Sequence, residues 1–118
     1  MSKFIRWFEE ISIEDIPLVG GKNASLGEML RNLGKRGIRV PSGFVVTAEA
    51  YRLFLREAGL EPFIKMALRS LRKSDVKHFG QVGSAIRKKI ENAKFSPALE
   101  TQIVQMFRSQ LPILSSRL

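Results

Sequence analysis

The stretch Val19-Gly20-Gly21-Lys22-Asn23-Ala24-Ser25-Leu26-Gly27-Glu28-Met29 sets a glycine-rich turn directly before a helical pattern. Leu26, Met29, Leu30 and Leu33 fall at i, i+3, i+4 and i+7, which places them on one face of a helix. Ser25 and Glu28 have the spacing of a capping box and Asn23 competes as N-cap, so two starts about a turn apart are open. Glycines let the backbone approach an anion, a helix N-terminus adds free donors and positive potential, and a lysine adds a mobile ammonium. Gly20, Gly21 and Lys22 are thus candidates for a phosphate cradle. A plain turn with a solvated lysine is the alternative. The Walker A pattern is absent, since no glycine stands five residues before Gly21 and Asn23, not Ser or Thr, follows Lys22.

On the N-terminal side, Phe4-Ile5-Arg6-Trp7-Phe8 suits a short strand, and an acidic stretch from Glu9 to Asp15 leads to Ile16-Pro17-Leu18-Val19. On the other side, Gly34 can close the helix in the left-handed conformation, with Lys35-Arg36-Gly37 continuing the turn. Ile38-Arg39-Val40 alternates like a strand as far as Pro41, and Phe44-Val45-Val46 reads as a buried strand. Thr47 is a good N-cap for a helix on which Tyr51, Phe54, Leu55 and Ala58 share a face before Gly59 ends it.

The second half reads as helical. Pro62 suits a first helical position, with Phe63, Met66, Ala67 and Leu71 following at helical spacing. Ser74 can cap a helix with Phe79, Val82, Ile86 and Ile90 on its apolar side, weakened by roughly 1 kcal/mol at each of Gly80 and Gly83. Ser96-Pro97 marks the last start, with Leu99, Ile103, Met106 and Phe107 expected inside, and Leu111-Pro112-Ile113-Leu114 reads as the beginning of another strand. The expectation is an α+β fold, helix-dominated, with two or three short strands in the first half. It divides into a motif-bearing part (1–60), a helical part (61–110) and an interrupted strand (111–118) within one domain.

With 118 residues and 44% apolar content, one compact unit is expected; no run approaches the roughly 18 to 20 apolar residues of a membrane span, so a soluble, cytoplasmic protein is expected. No cysteine is present, which removes disulfides and thiolate nucleophiles, and one histidine, His78, cannot build a histidine-rich metal site. His78, in Lys77-His78-Phe79-Gly80, has no carboxylate or hydroxyl beside it for a relay, and reads as a surface or boundary residue. Glu9, Glu10, Glu14 and Asp15 hint at Mg²⁺ or are a solvated loop.

The net charge of +9 is uneven: residues 1–60 carry nine Lys/Arg and seven Asp/Glu, residues 61–118 eleven and four. Runs at Arg72-Lys73 and Arg87-Lys88-Lys89 fit attraction to phosphate, a solvated helix face, or a surface that meets an acidic neighbour. Aromatic residues do not interleave with them, so only weak, salt-sensitive contact with nucleic acid is expected.

The glycine-rich stretch, followed by Val40-Pro41-Ser42-Gly43-Phe44-Val45-Val46-Thr47-Ala48-Glu49-Ala50-Tyr51, resembles the phosphoenolpyruvate synthase family, whose wider group includes pyruvate phosphate dikinase. The resemblance covers residues 4–60 well and 61–110 loosely. It implies part of an ATP-grasp-like ATP-binding domain that, with Mg²⁺, phosphorylates a histidine on a second domain, from which the phosphoryl group passes to pyruvate. It carries ATP-phosphate contact onto Lys22, with Gly20 and Gly21 shaping the loop, and assigns no catalytic or metal-binding residue in this chain. Family members continue into a Val-Arg-Ser-Ser-Ala-Thr-Ala-Glu-Asp segment; Ile113-Leu114-Ser115-Ser116-Arg117-Leu118 departs from it, and Arg117 does not take over that arginine's role. The expectation is a truncated piece or subunit of such a synthase, inactive alone, partnered by ATP and by the remainder of a split enzyme, with self-association through uncovered apolar faces. The alternative is a non-catalytic binding or regulatory remnant that uses its basic helical half.

Overall fold

The computed structural model describes residues 2–71 and 75–116, the last six of these by their backbone alone. Arg72, Lys73, Ser74, Arg117 and Leu118, on which the basic run, one cap and the family comparison of the terminus drew, lie outside the described residues.

Two segments rich in β-branched and aromatic side chains form the sheet. Strand β1 (Ile5–Trp7) pairs antiparallel with β2 (Phe44–Val46), with Ile5 opposite Val46, Arg6 opposite Val45 and Trp7 opposite Phe44. The last pair brings two rings edge to face at 6.3 Å between centroids, a contact worth about 0.5–1.5 kcal/mol beyond its buried area. Between the strands the chain makes two 3-10 turns, Phe8–Glu10 and Ile13–Asp15, and two helices, α1 (Ile16–Val19) and α2 (Gly21–Gly34). Two of the acidic residues there, Glu10 and Asp15, cap the turns, and Glu9 holds Ser42. Glu10 accepts a hydrogen bond from Trp7 N at 3.0 Å, Asp15 from Ser12 N at 2.8 Å, and Glu9 from the Ser42 hydroxyl. Ile11, Val19, Ala24 and Val45 form the core over these elements, with Phe8 and Leu18 packed on it.

Helix α2 closes differently from the sequence expectation. Gly34 is its last residue, and the left-handed turn falls at Gly37 (φ 78°), where Ile38 N reaches back to Leu33 O at 3.1 Å. That six-to-one bond spans Leu33 to Ile38, four residues beyond Gly34, with Gly37 at the left-handed position. Ile38-Arg39-Val40 is not a strand; Ile38 is 51% exposed, and alternation without a neighbouring ladder does not make a sheet. Among the described residues the sheet has two strands.

Thr47 starts α3 (Ala48–Glu57). Its hydroxyl donates to Lys3 O at 2.7 Å and accepts from Ala50 N at 3.3 Å, and the residue is 1% exposed. One side chain therefore both caps the helix and ties it to the residues before β1.

The chain divides into two compact units, Met1–Arg52 with Pro97–Leu118, and Leu53–Ser96. In the second unit, α4 (Leu60–Arg69) packs on α5 (Val76–Asn92), with Leu60 and Val82 buried. The Phe54 and Phe95 rings meet at a tilt of 51° with 5.0 Å between centroids, and the Lys89 ammonium sits 5.2 Å from the centre of the Phe63 ring. Asp75 caps α5 by accepting from His78 N at 3.0 Å.

Helix α6 (Pro97–Ser116) begins where Ser96-Pro97 predicts, and Leu99 is buried. Phe107, expected inside, is 53% exposed. Residues 111–116 are helical, which corrects the strand reading of 111–118 for its described part. A four-residue apolar run carries no periodicity of its own, and a helix already under way propagates at low cost per residue once nucleated. Proline inside it forfeits one ladder bond, and the helix nevertheless runs on through Pro112.

Candidate functional site

The candidate site lies where α1 ends and α2 begins. Gly20 closes α1 and precedes α2 in a single residue, at φ 83° and ψ 159°, a region open essentially to glycine alone. Gly20 N donates to Ile16 O at 2.8 Å and Ala24 N to Gly20 O at 3.0 Å. Between them, the N–H groups of Gly21, Lys22 and Asn23 meet no acceptor among the described residues. No side chain caps α2, so three donors stand free at its positive end. Gly20, Gly21 and Lys22 are all exposed. The structure brings the three expected residues together on one turn, and space is open at both glycines: a Cβ on either would meet nothing within 4 Å.

Both N-caps considered from sequence are displaced. The helix starts at Gly21, ahead of Asn23 and Ser25. Asn23 instead turns its side-chain amide back to donate to Val19 O at 2.9 Å. Glu28 accepts from Ile13 N at 3.1 Å and from Asn32 Nδ2 at 3.2 Å.

The next turn of α2 fixes its direction. Ala24 and Gly27 are its buried residues, while Met29 is 46% exposed. A Cβ on Gly27 would stand 2.5 Å from Ile11 Cγ1, 2.7 Å from Ile11 O and 3.0 Å from Phe8 O, so the helix backbone lies directly on the Phe8–Ile11 segment. Arg31 adds a bond from its guanidinium to Ile11 O at 3.3 Å. Phe8 in turn packs its ring on Gly43, whose Cβ would lie 2.6 Å from Phe8 Cε2, and Phe8 N donates to Gly43 O at 3.0 Å. Phe8 thus joins the glycine-rich stretch to the Pro41-to-Tyr51 stretch through two side-chain-free backbones. Gly27 and Gly43 stood in view in the sequence, but nothing local said that each faces a neighbour's backbone or ring.

The other candidates resolve into structural roles. The His78 Nε2 atom lies 3.1 Å from the Ser70 hydroxyl, a neighbour the linear sequence does not reveal. That hydroxyl's single proton goes to Ala67 O at 2.6 Å, so the imidazole must donate to Ser70, and it cannot act there as the base that activates a serine. Among the described residues no three of His, Asp and Glu converge as a metal site requires. No helix among the described residues is long and apolar enough to cross a membrane.

Residues 16–111, from the first residue of α1 into α6, match the family described as "Pyruvate phosphate dikinase, AMP/ATP-binding domain". The chain belongs to this family. It is 46% identical over 99 residues to phosphoenolpyruvate synthase of Aquifex aeolicus (strain VF5), a match covering 84% of this chain and 12% of the relative. The enzyme of the same name from Neisseria meningitidis serogroup B is 46% identical over 100 residues, covering 85% and 13%. That of Escherichia coli (strain K12) is 38% identical over 106 residues, covering 90% and 13%. The chain therefore spans about an eighth of the length of these relatives. The pyruvate phosphate dikinase match takes in the glycine-rich turn, β2, the Thr47 cap of α3, and the whole of the second unit, a longer span than the two sequence motifs.

Proposed function

We propose that this chain binds the phosphates of ATP at Gly20, Gly21 and Lys22, as one part of a phosphoenolpyruvate-synthase-type phosphotransferase, and that it turns nothing over alone. The observation that carries the reading is the break in the backbone ladder at Gly20, with three consecutive unclaimed N–H groups and an exposed lysine, inside the span that matches an AMP/ATP-binding family. The N–H groups would hold phosphate oxygens and the Lys22 ammonium would neutralise their charge; the open space at both glycines admits the anion. ATP supplies the phosphoryl group. Phosphoryl transfer gains mostly from positioning and charge neutralisation, and this turn provides a share of both.

The acceptor histidine, the pyruvate site and the metal ligands lie in this reading outside these 118 residues. His78 is the one histidine of the chain and is engaged with Ser70. Titration calorimetry of the chain with ATP tests the binding: Lys22→Ala should weaken it with the helix content unchanged, because Lys22 is exposed. Equal binding by the variant removes Lys22 from the site. Incubating the chain with ATP, Mg²⁺ and pyruvate should yield no AMP or phosphoenolpyruvate, and turnover by the lone chain would overturn its reading as one part of the enzyme.

A further inference from the structure

In an unbroken helix the N–H of Asn23 would bond Val19 O, four residues back. The break at Gly20 removes that bond, and the Asn23 side chain makes it instead, at 2.9 Å. A carbonyl acceptor fixes which end of the amide points there, since only the NH₂ can donate. Val19 and Ala24 are buried on either side and Asn23 is half-buried, so the bond sits at the edge of the core with little water to replace it.

We propose that Asn23 is the positioning residue of the phosphate-binding turn. By satisfying Val19 O through its side chain, it pins the end of α1 to the first turn of α2 and holds Gly20 at its φ of 83°, leaving the N–H groups of Gly21, Lys22 and Asn23 itself for an anion. The amide suits this task because it is a neutral donor. An aspartate would set carboxylate oxygens against the Val19 carbonyl and a negative charge beside the phosphate; a lysine would leave the core edge for water. Asn23 need not touch the ligand: Lys22 gives the charge and Asn23 the geometry. The inference rests on the phosphate-binding reading above.

The test uses the full chain, with ATP and inorganic tripolyphosphate as probes in titration calorimetry, and circular dichroism and thermal unfolding in parallel. Asn23→Leu removes the donor at similar size without adding charge, and Asn23→Ala serves if the leucine variant fails to fold. Asn23→Gln keeps the amide donor on an arm one methylene longer. Loss of the donor should lower affinity for both probes about tenfold at unchanged helix content, as for one neutral hydrogen bond, and glutamine should recover part of it. If Lys22→Ala loses affinity while Asn23→Leu and Asn23→Ala bind as the native chain does, the positioning role is overturned and the phosphate site stands. If glutamine fails to rescue a folded variant, the bond to Val19 O is not the cause and the role falls. If the native chain binds neither probe, or Lys22→Ala changes nothing, the site itself fails and Asn23 with it.

Discussion

The backbone of Gly27 lies closer to Ile11 than any side chain would permit, with a Cβ placed there 2.5 Å from Ile11 Cγ1 and 2.7 Å from Ile11 O. Ile11 Cγ1 could rotate away, but its carbonyl is backbone and cannot. In an ordinary helix interior Gly→Ala stabilises by up to about 1 kcal/mol; here the clash should reverse the sign, and Gly27→Ala should destabilise by about 1–3 kcal/mol. Denaturant unfolding checks this, and an unchanged or higher midpoint would mean that α2 does not lie on Ile11 as described.

Gly80 gives the opposite expectation from the same chemistry. It is helical within α5, and a Cβ there meets nothing within 4 Å. Gly80→Ala should stabilise by about 0.5–1 kcal/mol, chiefly by reducing the freedom of the unfolded chain. A loss of stability would place an unseen neighbour against that position.

Gly20 and Gly21 separate conformational cost from steric cost. Both have open space, but only Gly20 has positive φ. Gly20→Ala should cost about 1–3 kcal/mol and reduce affinity for tripolyphosphate, while Gly21→Ala should change stability by no more than about 0.5 kcal/mol. Thermal unfolding of the two variants side by side gives the comparison, and equal melting temperatures would contradict it.

Much of this arrangement was legible beforehand, and the failures share a cause. The turn at Gly20-Gly21-Lys22, the strand Phe44–Val46, the Thr47 cap and the Pro97 start were readable because each is a local signal: a glycine pair, a β-branched run, a hydroxyl before a helix, a proline at its first turn. The packed face of α2 was not. Periodicity nominates large apolar residues such as Met29, whereas this helix packs on backbone, which selects Ala24 and Gly27. The roles of Asn23 and Ser70 were hidden for a related reason, because each depends on where a carbonyl or ring lies after folding. The strand expected at Leu111–Leu114 failed because four apolar residues fit either period.

Thr47 is buried with two hydrogen bonds, one of them to Lys3 O across 44 residues. Thr47→Val keeps the shape and removes both, leaving the buried Ala50 N without this partner, and should cost about 1–3 kcal/mol. Thr47→Ser should recover most of the loss. Chemical denaturation of both variants is the measurement, and a valine variant as stable as the native chain would show that the hydroxyl contributes nothing.

The register of the sheet also governs the order in which the chain can assemble. Ile5 faces Val46, so pairing the strands closes a loop of about 40 residues whose entropy must be surrendered before any ladder bond is made. Helix α2 needs only neighbours in sequence and can flicker into existence within the unfolded chain, but the seat for Gly27 and the grip of Phe8 on Gly43 arrive only with that closure. The turn that carries Lys22 therefore gains its rigid surroundings late, when the two segments that flank it meet.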